Sequence, residues 1–119
     1  MIGSSYMKAR NALLGAPPYK VEQALAKLGA NLKTARLRRN LTAQEVAEKI
    51  GTSRFAIADA EKGKPSTSVA VYAALLWAYG LVDRLADLAD PHKDEEGTRL
   101  SLSREPARAR HHRRLDNDF

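Results

Sequence analysis

The sequence predicts an all-α fold, and three observations carry that expectation. The apolar residues are mainly alanine, leucine and valine, with only 6% aromatics, and alanine and leucine in quantity favour helices over strands. Between Tyr19 and Arg39 the residues Val21, Leu25, Leu28, Leu32 and Ala35 recur at steps of three and four, the period of a helix face. From Leu41 to Gly63 two short helical patterns meet at Gly51, the layout of a helix-turn-helix. With 119 residues and 44% hydrophobic content, the chain has material for one small domain plus tails. The expected organisation is an amino-terminal arm over 1–18, a five-helix domain over 19–91, and a linker with a basic tail over 92–119.

The arm mixes Gly3-Ser4-Ser5 with partial helical spacing from Met7 to Leu14, which fits a flexible arm or a short helix. Pro17-Pro18 interrupts the chain and suits the first turn of the next helix. The first long helix ends where Asn40 fits a left-handed cap, with Leu41 as the hydrophobic residue after it. Thr42 caps the second helix, and Glu45 three residues on completes a capping box ahead of an apolar face of Val46, Ala47 and Ile50. Gly51 supplies the backbone freedom of the turn. Ser53 caps a third helix that runs to about Lys62 and closes at Gly63. Ile57 and Ala60 point inward, and the small Ala47 lets the second and third helices approach closely.

After the loop Lys64-Pro65-Ser66-Thr67, Ser68 opens a fourth helix, Val69 to Tyr79, that is apolar nearly all round. Such a helix needs covering on more than one side, and in so short a chain another subunit can provide the cover. Gly80 ends it. Leu81 to Ala89 reads as a fifth helix with Leu81, Leu85 and Leu88 inward, stopped by Asp90-Pro91. His92 to Gly97 is an acidic linker. Arg99 to Arg104 then alternates polar and apolar residues, which fits one short strand, and a lone strand would need a partner strand from a twin subunit. The tail to Phe119 carries Arg108, Arg110, Arg113 and Arg114. It suits nucleic-acid contact, docking on an acidic surface, or plain solvation.

Composition narrows the function classes. The net charge of +6 and pI of about 9.8 make a polyanion a candidate partner. The chain has no cysteine, so disulfides and thiolate metal sites are excluded. His92, His111 and His112 have no ligand spacing, so neither a metal nor a cofactor is expected. No apolar run of about 20 residues offers a membrane span, and no cationic leader precedes an apolar stretch. A cytoplasmic protein is the expectation. No phosphate-cradling glycine loop and no nucleophile–base constellation is visible, so an enzyme is not expected.

The helix-turn-helix singles out particular residues, because its second helix is the one that enters the DNA major groove. Arg54, on the first exposed turn, can bond guanine O6 and N7 in bidentate fashion. Phe55 lies away from Ile57 and Ala60, where it can meet a thymine methyl or pack on the start of the second helix. Ala56 is a minor apolar contact. Asp59 can accept from cytosine N4 or fix the Arg54 guanidinium. Ser53, Lys62, Lys64, Ser66 and Thr67 suit phosphate contacts, which position without reading sequence. Arg38 and Arg39 can do the same from the end of the first helix, as can Thr42 and Gln44 at the start of the second. Trp77 and Tyr79 are aromatics of the kind enriched at the centres of protein interfaces.

Leu28-Gly29, Leu32, Ala35-Arg36, Leu41-Thr42, Val46-Ala47, Ile50-Gly51, Ser53, Ile57 and Glu61-Lys62-Gly63 together resemble the helix-turn-helix domain of phage repressors and related bacterial regulators. That resemblance covers about half the chain. It implies a five-helix domain that binds double-stranded DNA as a homodimer, on an operator with inverted half-sites. It also implies a structural salt bridge between Arg36 and Glu61. One position departs from the family: a glutamine usually follows the threonine of the second helix, and here Ala43 stands there with Gln44 next. The segments Tyr72–Leu81 and Leu85–Pro91 are further similar to HipB-type antitoxins, which bind and silence HipA-type kinase toxins and repress their own operon. In that reading Trp77, Tyr79, Leu100 and Leu102 lie at the dimer or toxin interface. The alternative is a stand-alone phage-type or chromosomal repressor with no toxin partner.

Overall fold

The computed structural model describes residues 12–104, and these residues are helical and contain no strand. Residues 12–15 are helical, and α1 (Tyr19–Arg38), α2 (Ala43–Ile50), α3 (Arg54–Glu61), α4 (Val69–Ala78), α5 (Val82–Ala86) and α6 (Glu95–Ser103) follow. The chain forms two compact units that divide between Leu85 and Ala86. The amino-terminal arm to Asn11 and the tail arginines Arg108, Arg110, Arg113 and Arg114 lie outside the described residues.

In the first unit each helix stops and starts for a local reason. α1 ends at Asn40, whose φ of 55° is left-handed, a conformation asparagine tolerates better than most residues. Thr42 accepts from the Glu45 backbone at 3.0 Å, and the Glu45 carboxylate accepts from the Thr42 backbone at 3.0 Å. This capping box satisfies two amide donors at the start of α2. Gly51, at φ 80°, turns the chain while the amides of Gly51 and Thr52 both donate to the Ala47 carbonyl. Ser68 caps α4 by accepting from Ala70.

The core draws on four helices: Leu32 of α1, Val46 and Ala47 of α2, Ile57 and Ala60 of α3, Tyr72 and Leu75 of α4, and Tyr79 at its end. Burying each large aliphatic chain contributes about 1.5–3 kcal/mol. α3 packs against α1, α2 and α4 at once, so the helix of the motif is held from three sides. The contact with α1 is backbone on backbone. A Cβ at Gly29 would sit 2.6 Å from the carbonyl oxygens of Ala60 and Glu61, and one at Gly63 would collide with the Leu25 carbonyl. Side chains larger than hydrogen would push α1 off the end of α3.

Three expectations fail here. The strand expected at Leu100–Ser103 is instead part of α6. The Asp94 side chain accepts from the Gly97 amide at 3.0 Å, Glu95 and Glu96 lie in the first turn, and acidic residues there suit the positive end of a helix. An alternation over six residues is too short to outweigh a cap when no partner strand is present among the described residues. The fifth helix is shorter than the expected Leu81–Ala89: the chain turns at Ala89 with φ 60°, and Leu88, expected inward, is 69% exposed. Val21 also faces outward, because α1 extends beyond the helices it packs on, and burial starts at Leu25.

Candidate nucleic-acid interface

The face of α3 away from the core is the candidate site. Ile57 and Ala60 are fully buried, whereas Phe55 is 67% exposed. This split is what residues of one helix show when their Cα–Cβ directions point to opposite sides. Ser53 caps the helix, its hydroxyl accepting from the Ala56 amide at 3.2 Å. The guanidinium of Arg54 lies over the Phe55 ring, 5.2 Å from its centroid, a cation–π contact that keeps a flexible side chain close to the ring. The amino end of α3 therefore offers a planar donor and an apolar ring side by side. Those are the groups that address a guanine edge and a thymine methyl. Ala56 is half-buried behind them.

The carboxyl end of α3 is anchored rather than displayed. Arg36 Nε donates to Glu61 Oε2 at 2.7 Å and Nη2 donates to Oε1 at 3.0 Å, a bidentate pair. Nη1 of Arg36 also donates to the Leu41 carbonyl at 2.9 Å. The two side chains are 12% and 9% exposed, so little water competes for them. Donation to the Glu61 carboxylate raises the Arg36 pKa above its ordinary value, against the pull of burial. One side chain thus ties α1 to α3 and to the residue that precedes α2.

The flanking residues divide into those free to meet phosphate and those already engaged. Arg38, Lys62 and Ser66 are exposed. Gln44 is exposed at the start of α2, where its amide donates to Glu48 at 3.1 Å. Thr42 and Ser53 accept with their hydroxyl oxygens in the helix caps and keep the hydroxyl protons to donate. Lys64 Nζ stands 3.9 Å from Asp59, so the partner of Asp59 is Lys64, not the Arg54 guanidinium. The Thr67 hydroxyl oxygen is buried, with no hydrogen-bond partner among the described residues, which removes it from the phosphate set. Arg39 is also taken: it donates to the carbonyls of Ala35 and Tyr79, each at 2.9 Å, and its guanidinium sits 5.3 Å from the Tyr79 ring centroid. That clamp joins residues 40 apart in sequence and has no local signature.

The interface set divides in the same way. Tyr79 is buried in the core and is not a surface group. Trp77 is 57% exposed and Val69 72% exposed, so α4 presents apolar surface. Lys49 Nζ lies 5.9 Å from the Trp77 ring centroid. Leu100 and Leu102 are exposed on α6, two positions apart and so on different sides of that helix.

Between residues 19 and 81 ten basic residues stand against five acidic ones, so the first unit is itself positively charged. Among the described residues no cluster of histidine and carboxylate side chains could hold a metal ion, and no helix is long and apolar enough to cross a membrane. Residues 27–89, more than half of the chain, match the helix-turn-helix domain family. The chain belongs to that family. As a helix-turn-helix protein it carries a DNA-binding regulatory fold, with α3 in the place of the recognition helix. No curated protein and no solved structure matches the chain.

Proposed function

We propose that this helix-turn-helix protein is a sequence-specific transcriptional repressor, which reads double-stranded DNA through Arg54 and Phe55 at the amino end of α3. The observation that carries the reading is the exposed Arg54–Phe55 pair on a helix fixed from behind by Ile57, Ala60 and the Arg36–Glu61 bridge. A solvent-exposed phenylalanine stacked under an arginine has no role in this core. Asp59, one turn on, discriminates by accepting from cytosine and repelling wrongly placed phosphate. Arg38, Lys62, Lys64, Ser66 and Gln44 line the flanks for phosphate contacts.

The protein works as a homodimer on an inverted operator, with α4 as the meeting surface. Exposed Val69 and Trp77 support this part of the reading. A footprint on the promoter of its own gene is expected to show two half-sites about 34–36 Å apart, one helical turn. A single unpaired half-site bound by one chain would overturn the dimeric reading.

The finer proposal is that the regulator is the antitoxin of a HipA-type kinase, binding the toxin and repressing their common operon in the bacterial cytoplasm. Its support is the similarity of residues 72–81 and 85–91 to HipB-type antitoxins. The C-terminal strand that such a dimer would exchange is absent among the described residues, where α6 stands in its place. Recovery of a kinase with the tagged full chain from its native host is the expected result. Recovery of DNA-binding activity with no kinase would leave the stand-alone repressor.

A further inference from the structure

Arg54 and Phe55 are the first two residues of α3. The guanidinium lies over the face of the ring, its carbon 5.2 Å from the ring centroid. The ring is 67% exposed, while the core beneath closes over Ile57 and Ala60 without it. A cation on an aromatic face is attracted by the ring quadrupole. The two side chains therefore approach DNA as one composite group rather than as two independent ones.

Base-pair spacing decides what such a group touches. A guanidinium that forks onto guanine O6 and N7 lies near the plane of that base pair. Successive pairs are about 3.4 Å apart. A ring stacked on the guanidinium therefore falls at the level of the neighbouring pair, not of the guanine itself. The apolar feature that a neighbouring pair offers in the major groove is a methyl group on pyrimidine C5; adenine, guanine and unmodified cytosine present none. Steps from pyrimidine to purine are the flexible ones that unstack readily, and there the 5′ pyrimidine exposes its edge to a ring. That favours the order pyrimidine–guanine over the reverse.

We propose, resting on the repressor reading of α3, that Arg54 and Phe55 together recognise a two-base step: a C5-methylated pyrimidine followed by guanine. Thymine and 5-methylcytosine carry the same methyl on the same ring carbon. To Phe55 a thymine–guanine step and a methylated cytosine–guanine step are equivalent, and unmethylated cytosine–guanine lacks the contact. The protein thus senses cytosine methylation at this step through one exposed ring, with Arg54 supplying the preference for guanine.

The preferred duplex is first selected from a random library with the full chain. Dissociation constants are then measured at one salt concentration on four versions of the step, with thymine, uracil, cytosine or 5-methylcytosine before guanine. Uracil differs from thymine by the methyl alone. It is expected to weaken binding about three- to fivefold, the worth of one buried methyl. 5-Methylcytosine is expected to bind more tightly than cytosine by the same factor. In Phe55→Ala both ratios are expected to fall to about one, and Phe55→Leu, which restores an apolar contact, is expected to recover at least about twofold. A misfolded chain would not show that recovery. A preferred duplex with no pyrimidine–guanine step, ratios near one in the wild type, or ratios that persist in Phe55→Ala would overturn the proposal and leave sequence-specific binding standing. A library from which no sequence is enriched would overturn the DNA reading itself, and the proposal with it.

Discussion

Helices α3 and α6 are nearly equal in length, at eight and nine residues, and each begins at a side-chain cap, Ser53 or Asp94. Their surroundings differ completely. α3 buries Ile57 and Ala60, touches three other helices and ends in an ion pair. α6 buries nothing. A cap starts both helices, but only α3 is then held by buried side chains. In α6 the leucines Leu100 and Leu102 stay exposed, and the short alternation from Arg99 to Arg104 could pass for a strand.

Mutation should expose that difference most strongly at the bridge behind α3. Arg36→Ala leaves the Glu61 carboxylate without its partner in a part-buried position. It is expected to lower unfolding free energy by about 3–5 kcal/mol, read from the urea midpoint of the full chain. A loss under about 1 kcal/mol would mean that water reaches Glu61 and that α3 is not pinned there. Local capping gives the next effect. Thr42→Ala removes the acceptor for the Glu45 amide and is expected to cost about 1 kcal/mol in the same titration.

Tyr79 supplies a pH-dependent case. Burial, with a smaller contribution from the Glu61 carboxylate, raises its phenol above the ordinary 10.0. The folded chain therefore favours the neutral phenol. Its stabilising contribution is complete below the ordinary pKa and is lost as pH rises through the raised folded value. Tyr79→Phe is expected to remove this alkaline decline from melting curves between about pH 9 and 11. Because the hydroxyl has no partner among the described residues, the same change should shift neutral-pH stability by less than about 1 kcal/mol. At the far end of the scale, Leu102→Ala on α6 is expected to leave the urea midpoint of the dilute monomer within about 0.5 kcal/mol of wild type. A larger loss would show that α6 is packed, against the contrast drawn with α3.

The sequence made most of the first unit legible because its signals are local or periodic. The Thr42–Glu45 box, the left-handed Asn40 and Gly51, and the inward Ile57 and Ala60 all follow from spacing of a few residues, and so does the outward Phe55. Contacts between distant residues were less accessible. Nothing near Arg39 foretells its bond to the Tyr79 carbonyl, 40 residues away, so it read as a phosphate contact. Thr67 looked available because its loop is polar, yet its hydroxyl is turned in. Trp77 and Tyr79 are two residues apart and of one chemical type. Only the packed structure puts the first on the surface and the second in the core.

The central claim is that α3 reads base sequence through Arg54 and Phe55. It is tested most directly by comparing wild type and Arg54→Ala on the operator and on unrelated DNA, across a salt series. The expected result is a loss of about 1–3 kcal/mol on the operator, with relaxed preference at one base pair and far less change on unrelated DNA. An equal loss on both DNAs, with a salt slope reduced by about one, would make Arg54 a phosphate contact. No loss on either would remove α3 from the interface altogether.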